Sequence, residues 1–196
     1  MKIVVITRPG FSGGETGLVN DLFRSGLERL HLRKPGASGE QLEEWLKDID
    51  RQYYDRIVLH DCHGFAMKYG LGGVHLNSRN PEAPHGLADG MTVSRSCHSF
   101  DEVTRYKDSC SYLFLSPIYD SISKEGYGAA FSSIDLERAA GSGIIDRKVF
   151  ALGGVSAERI PEIRSLGFGG AAVLGALWQA AEPVEYLQKL LQSNSL

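Results

Sequence analysis

The chain has 196 residues, 42% of them hydrophobic and 23% charged, which excludes a disordered polymer and supports a buried core without disulfide or metal staples. A formal net charge of −3 offers no cationic surplus for a nucleic-acid backbone, so nucleic acid is not an expected partner. No stretch approaches about 20 apolar residues, so no membrane span is expected either, and the apolar run near the N-terminus is too short for a signal peptide.

In chain order, short β-branched and apolar runs predict strands at Lys2–Thr7, Arg29–Arg33, Arg56–His60, Gly73–Leu76, Met91–Ser94, Tyr112–Leu115, Val149–Leu152 and Ala171–Leu174. They are continuous rather than strictly alternating, as in parallel strands buried on both faces. Helical spacing predicts helices over Glu15–Ser25, Ser38–Tyr53, Ser99–Lys107, Ser156–Leu166 and Glu182–Gln192. Ser38 followed by Gln41, and Ser99 followed by Glu102, read as capping boxes. Gly167 reads as the glycine that ends the helix before it. Between Leu76 and Met91 the run NSRNPEAPHGLADG holds two prolines and two glycines and predicts a loop in place of a helix.

Eight strands with helices between most of them predict an α/β fold, a (β/α)8 TIM barrel, as one domain over residues 1–196 with an abbreviated unit between strands four and five. An open doubly wound sheet is the alternative. Cys62, Cys97 and Cys110 are odd in number and form no CxxC pair, which fits a reducing, cytoplasmic setting.

In such barrels the chemistry lies just beyond the strand C-termini. Those positions hold Arg8, Arg33 and Lys34, His60 and Asp61, Asn77 to Asn80, Ser96 and His98, Ser116 to Lys124, Gly153 and Gly154, and Leu174 and Gly175. Cations, hydroxyls and one good carboxylate on one rim are what an anionic small molecule requires. Arg33 and Lys34 could clamp a diphosphate or be solvated charge. Asp61 could hold Mg2+ or cap a helix. Gly153 and Gly154 could open backbone N–H groups to a phosphate or merely turn the chain. Lys124, in a hydroxyl-rich loop, could close over a substrate or be an ordinary surface lysine. His31 and His75 fall inside strands and read as barrel interior.

Seven segments in order resemble the thiamine phosphate synthase and thiazole tautomerase superfamily. H-L-R-K resembles Q-L-R-E-K, V-L-H-D resembles I-I-N-D, and G-G-V-H-L-N-S-R-N resembles G-V-H-L-G-Q-E-D. R-S-C-H-S, L-S-P-I-Y-D-S-I-S-K, A-L-G-G-V and A-A-V-L-G-A-L match the remaining family segments. The resemblance implies a transferase that joins hydroxymethylpyrimidine diphosphate to thiazole phosphate and releases diphosphate, with Mg2+ as cofactor. It implies that Arg33 and Lys124 hold the diphosphate as catalytic residues, with Lys34 beside them. Asp61 would bind metal with Asn80 in the second metal position, and His60 and Ser96 would contact substrate. Ser121, Ser123, Gly154, Leu174 and Gly175 would take the thiazole phosphate. The partners implied are phosphorylated small molecules, and homo-oligomerisation is left open. The chain departs from the pattern at His60 (family Asn), at Asn80 (family Asp) and at Pro35 (family Lys). Pro117 stands where a tautomerase carries its histidine base. A thiazole tautomerase-like isomerase and a non-catalytic phosphate-binding relative are therefore the alternatives.

Overall fold

The computed structural model describes residues 1–120 and 128–194. Its eight strands are β1 (Lys2–Ile6), β2 (Arg29–Leu32), β3 (Ile57–Leu59), β4 (Gly73–Leu76), β5 (Thr92–Cys97), β6 (Tyr112–Leu115), β7 (Val149–Leu152) and β8 (Gly170–Val173). They pair in parallel in sequence order, and β1 closes the barrel against β8, with Ile3 opposite Ala171. All eight predicted strands are present. β5 runs three residues beyond its predicted end, because Ser96 and Cys97 continue to pair with Phe114 and Leu115 of β6.

The helices are α1 (Glu15–Arg24), α2 (Gly39–Lys47), α3 (Gly64–Tyr69), α4 (Phe100–Tyr106), α5 (Ser133–Gly141), α6 (Ile160–Ser165), α7 (Gly175–Trp178) and α8 (Pro183–Ser193). No helix occurs between β4 and β5, as the prolines and glycines there require. α2 starts with a complete capping box, Ser38 Oγ accepting from Gln41 N–H and Gln41 Oε1 accepting from Ser38 N–H. It stops at Lys47 rather than Tyr53. Residues Arg51–Arg56 instead form a 3-10 turn that stacks Tyr53 on Phe23 at 4.7 Å. α4 is capped by Ser99 as expected, but Glu102 accepts from His98 N–H, one residue earlier than a box requires. α3, α5 and α7 have no strong amphipathic repeat: α3 buries only Ala66, and α5 only Leu136 and Ala139.

The main apolar core lies between barrel and helices, where outward-facing strand residues such as Leu30, Leu59, Leu113 and Val173 meet helix residues such as Leu22, Leu46, Ile163 and Leu187. The barrel interior is split by chemistry. Val4, Ile6, Tyr112, Phe114, Phe150 and Ala172 fill the side built from β1, β6, β7 and β8. The other side carries His31, His60, His75 and Ser94, all buried.

Candidate functional site at the barrel mouth

A cavity of about 420 Å3 opens at the C-terminal ends of the strands, and Arg33, His60, Asn77, Arg79, Ser96 and Leu174 are on its wall. A larger one, about 700 Å3, lies at the opposite end among Lys2, Arg29, Arg147 and Arg164. The mouth is the candidate site because that end gathers the loops after all eight strands.

Arg33 follows β2 and is held at its backbone by Thr7, whose hydroxyl donates to Arg33 O at 3.1 Å and accepts from Arg33 N–H at 2.9 Å. Burial lowers the Arg33 pKa from its ordinary value, the nearby Arg79 guanidinium lowers it further, and Asp61 opposes both. So Arg33, Arg79 and Asp61 act on one another at one side of the mouth. Arg8 is turned elsewhere, donating to Trp178 O at 3.1 Å.

Lys34 does not join Arg33, and the expected diphosphate clamp is corrected here. Its side chain is 1% exposed and runs under the loop after β1. The ammonium donates to Glu15 Oε2 at 2.5 Å, to Gly10 O at 2.6 Å and to Arg8 O at 3.0 Å. All three donors of an ammonium are thereby used. The alternation of β2 explains the turn: Arg33 continues the inward face of His31, and its neighbour must face the helices.

Asp61 and Asn80 come together, but not as a metal pair. Arg79 lies side-on to Asp61, with Nη2 at 3.2 Å and Nε at 3.3 Å from Oδ1. Asn80 presents its amide nitrogen, donating to Asp61 Oδ1 at 3.0 Å and to His60 O at 3.1 Å. Asn77 also donates to His60 O, at 3.0 Å. Mg2+ needs oxygen ligands, usually including one or two free carboxylates. Here one carboxylate is already matched to a guanidinium, and its neighbours offer N–H donors. The residues present do not fit the Mg2+ that the family resemblance implies. Asp61 caps no helix either, since His63 precedes α3 without a side-chain cap.

His60 reaches the cavity from within a buried imidazole cluster. His31 Nδ1 and His60 Nε2 are hydrogen-bonded at 2.9 Å, and His31 Nε2 meets Tyr112 OH at 2.7 Å. His75 bonds Ser94 Oγ and Ser96 Oγ, each at 2.8 Å. Burial pushes His75 down to about 3 and His31 and His60 well below 6.5, each further lowered by neighbouring positive groups. The cluster is therefore neutral near pH 7. One ring nitrogen from each of the three lies within 4.8 Å of the other two. Yet His60 and His75 stack face to face at 4.1 Å, so their in-plane lone pairs do not converge on one ion. The trio makes a polar wall that sets Ser96 at the mouth.

Gly153 and Gly154 have φ of +93° and +63°. A Cβ at Gly154 would lie 2.3 Å from Asp120 O, and one at Gly153 would lie 2.8 Å from Pro117 Cα. Glycine is thus demanded by the packing of the β7 turn on the loop after β6. Leu174 lines the mouth, and Gly175 begins the short α7 beside it. Ser121, Ser123 and Lys124 lie outside the described residues. Sequence reading did not single out Arg79; a cation within N-S-R-N, directly after a barrel strand, was its available signal. His98 was on the rim but unassigned; its Nδ1 hydrogen-bonds Ser116 O at 3.1 Å.

Comparison with known proteins agrees with the barrel fold. The sequence profile described as Thiamine monophosphate synthase matches residues 3–177. A thiamine-phosphate synthase of Serratia proteamaculans is 28% identical over 178 residues, covering 87% of this chain and 84% of that protein. One from Parasynechococcus marenigrum is 29% identical over 184 residues, covering 90% of this chain, which spans only 52% of that longer protein. The crystal structure of a thiamine phosphate pyrophosphorylase from Bacteroides thetaiotaomicron superposes with a TM-score of 0.89 at 38% identity, covering 100% of this chain and 98% of that one.

Proposed function

From membership of the thiamine monophosphate synthase family, to which this chain belongs, we propose a transferase that joins hydroxymethylpyrimidine diphosphate to thiazole phosphate and releases diphosphate. What supports this most is that Arg33, His60, Ser96 and Leu174, from four different strands, line one cavity at the mouth of the barrel.

In this reading the bond between the pyrimidine methylene carbon and the diphosphate oxygen breaks first, and its electron pair leaves with the diphosphate. The thiazole nitrogen then donates its lone pair to the resulting cation and forms the new C–N bond. No protein nucleophile is needed; the work is positioning and stabilisation of the departing charge. Arg33 offers a planar fork of N–H donors to diphosphate oxygens. Lys124 supplies a second cation. Ser96, oriented by His75, and the edge of His60 contact the pyrimidine. Ser121, Ser123 and the backbone N–H groups of Gly154, Leu174 and Gly175 take the thiazole phosphate. Mg2+ is the cofactor associated with the family, and no step here depends on it, because Asp61 is engaged by Arg79. The partners this chemistry requires are the two phosphorylated small molecules.

Purified protein incubated with both substrates should yield thiamine phosphate and diphosphate in equal amounts, and Lys124→Ala should abolish that yield. Absence of both products at saturating substrate would reject the proposal. The Asp61–Arg79 pair favours one second reading, isomerisation of a thiazole phosphate carboxylate, which expels no diphosphate. Conversion of that compound without added pyrimidine would select it.

A further inference from the structure

The loop between β4 and β5 begins N-S-R-N, one cation among three neutral residues, and it is pinned to the end of β3. Asn77 Oδ1 accepts from Arg79 N–H at 2.9 Å and from Asn80 N–H at 3.1 Å. Asn77 and Asn80 exchange backbone hydrogen bonds, each at 3.1 Å, and both side-chain amides donate to His60 O. A turn closed this way fixes where Arg79 leaves the backbone. Its side chain is 49% exposed and lies over Asp61, which is only 16% exposed. Arg79 and Arg33 both line the mouth cavity.

We propose that the guanidinium of Arg79, together with that of Arg33, stands in place of a divalent cation in this chain, so that the mouth binds phosphate or diphosphate without metal. The inference rests on the transferase reading only in taking the bound anion to be its leaving diphosphate. Two guanidiniums lining one cavity repel each other, and Asp61, paired with Arg79, offsets that repulsion. The group of three then carries one net positive charge when empty. Half-exposed Arg79 retains donors beyond those on Asp61, and Arg33 makes no side-chain hydrogen bond within the described residues. Planar forks suit phosphate oxygens in pairs. A metal would need Asp61 for itself, would have to displace Arg79, and would find amide N–H groups where further oxygen ligands belong.

The test is calorimetric titration of the full chain with inorganic diphosphate, once in EDTA and once with Mg2+. Binding in EDTA should persist. Arg79→Gln should weaken it by about tenfold or more, the usual worth of a charge-assisted hydrogen bond. The decisive variant is Asp61→Asn. It frees the Arg79 guanidinium and removes a negative charge that acts on Arg33, so diphosphate should bind as well or more tightly; a metal site would lose binding. Diphosphate affinity that disappears in EDTA, that falls with Asp61→Asn, or that ignores Arg79→Gln would overturn the proposal. Absence of binding under both conditions would overturn it too. These outcomes are separable from failure of the transferase reading, which would appear as tight metal-free diphosphate binding without formation of thiamine phosphate.

Discussion

Replacing Lys34 by Met tests the reassignment of this residue from the mouth to the protein interior. Lys34 and Glu15 are each 1% exposed, with Nζ and Oε2 2.5 Å apart. Trp45 Nε1 donates to the same carboxylate oxygen at 3.1 Å, while Glu15 Oε1 is buried without a partner. Removing the ammonium leaves a carboxylate in the core with one indole donor, and strips Gly10 O and Arg8 O of theirs. Loss of one partner from such a buried pair costs about 3–5 kcal/mol. At roughly 2–4 °C per kcal/mol for a chain of this size, Tm should fall by roughly 6–20 °C. Replacing both partners, Lys34→Met with Glu15→Leu, should recover the part of that loss due to the unpaired carboxylate. The remainder is about 1–3 kcal/mol for the Trp45 N–H left without an acceptor. Urea unfolding and thermal melts at neutral pH measure both variants. A loss under about 1 kcal/mol for Lys34→Met, an ordinary surface value, would refute the buried-pair argument and return Lys34 to the mouth.

Other consequences follow from the same packing. Folding holds His31, His60 and His75 neutral, His75 with its pKa near 3, against an ordinary 6.5. The unfolded chain therefore binds protons that the folded chain refuses. The stability these rings contribute is whole above pH 6.5 and is lost as pH falls toward the folded values. At about 1.4 kcal/mol per ring per pH unit, the three together should cost roughly 4 kcal/mol between about pH 7.5 and 5.5. Unfolding free energies at the two pH values check this, and His75→Gln should remove about a third of the slope. Gly154→Ala should destabilise by about 1–3 kcal/mol, since the backbone is left-handed and the added Cβ meets Asp120 O; a melt matching the parent would count against that. Ser38→Ala should cost about 1 kcal/mol by opening the α2 capping box, read as a shift in urea midpoint at constant slope.

The barrel was legible because a parallel strand covered on both faces must be apolar throughout, and runs such as KIVVI, YLFL and VFAL can satisfy nothing else at that length. Caps were legible for the same local reason: Ser38 and Gln41 meet within one helical turn. α3 and α7 were not, since helices of six and four residues take most of their stability from the barrel they lie on and carry no repeat of their own. Order along the chain likewise placed Arg33, Asp61, Ser96 and Leu174 at strand ends, hence on one rim. What it left open was direction and pairing. Adjacent residues of a strand face opposite ways, so Arg33 reaches the mouth while Lys34 is spent on Glu15 beneath α1. Asp61 read as a ligand or a cap, and only the folded β4–β5 loop brings Arg79 onto it from 18 residues away. By itself the sequence determined which elements form and which residues stand at their ends, because those depend on neighbours a few positions apart. The tertiary structure alone decided which charges meet, because a carboxylate's partner is set by distance in space and by the burial that makes the pairing strong.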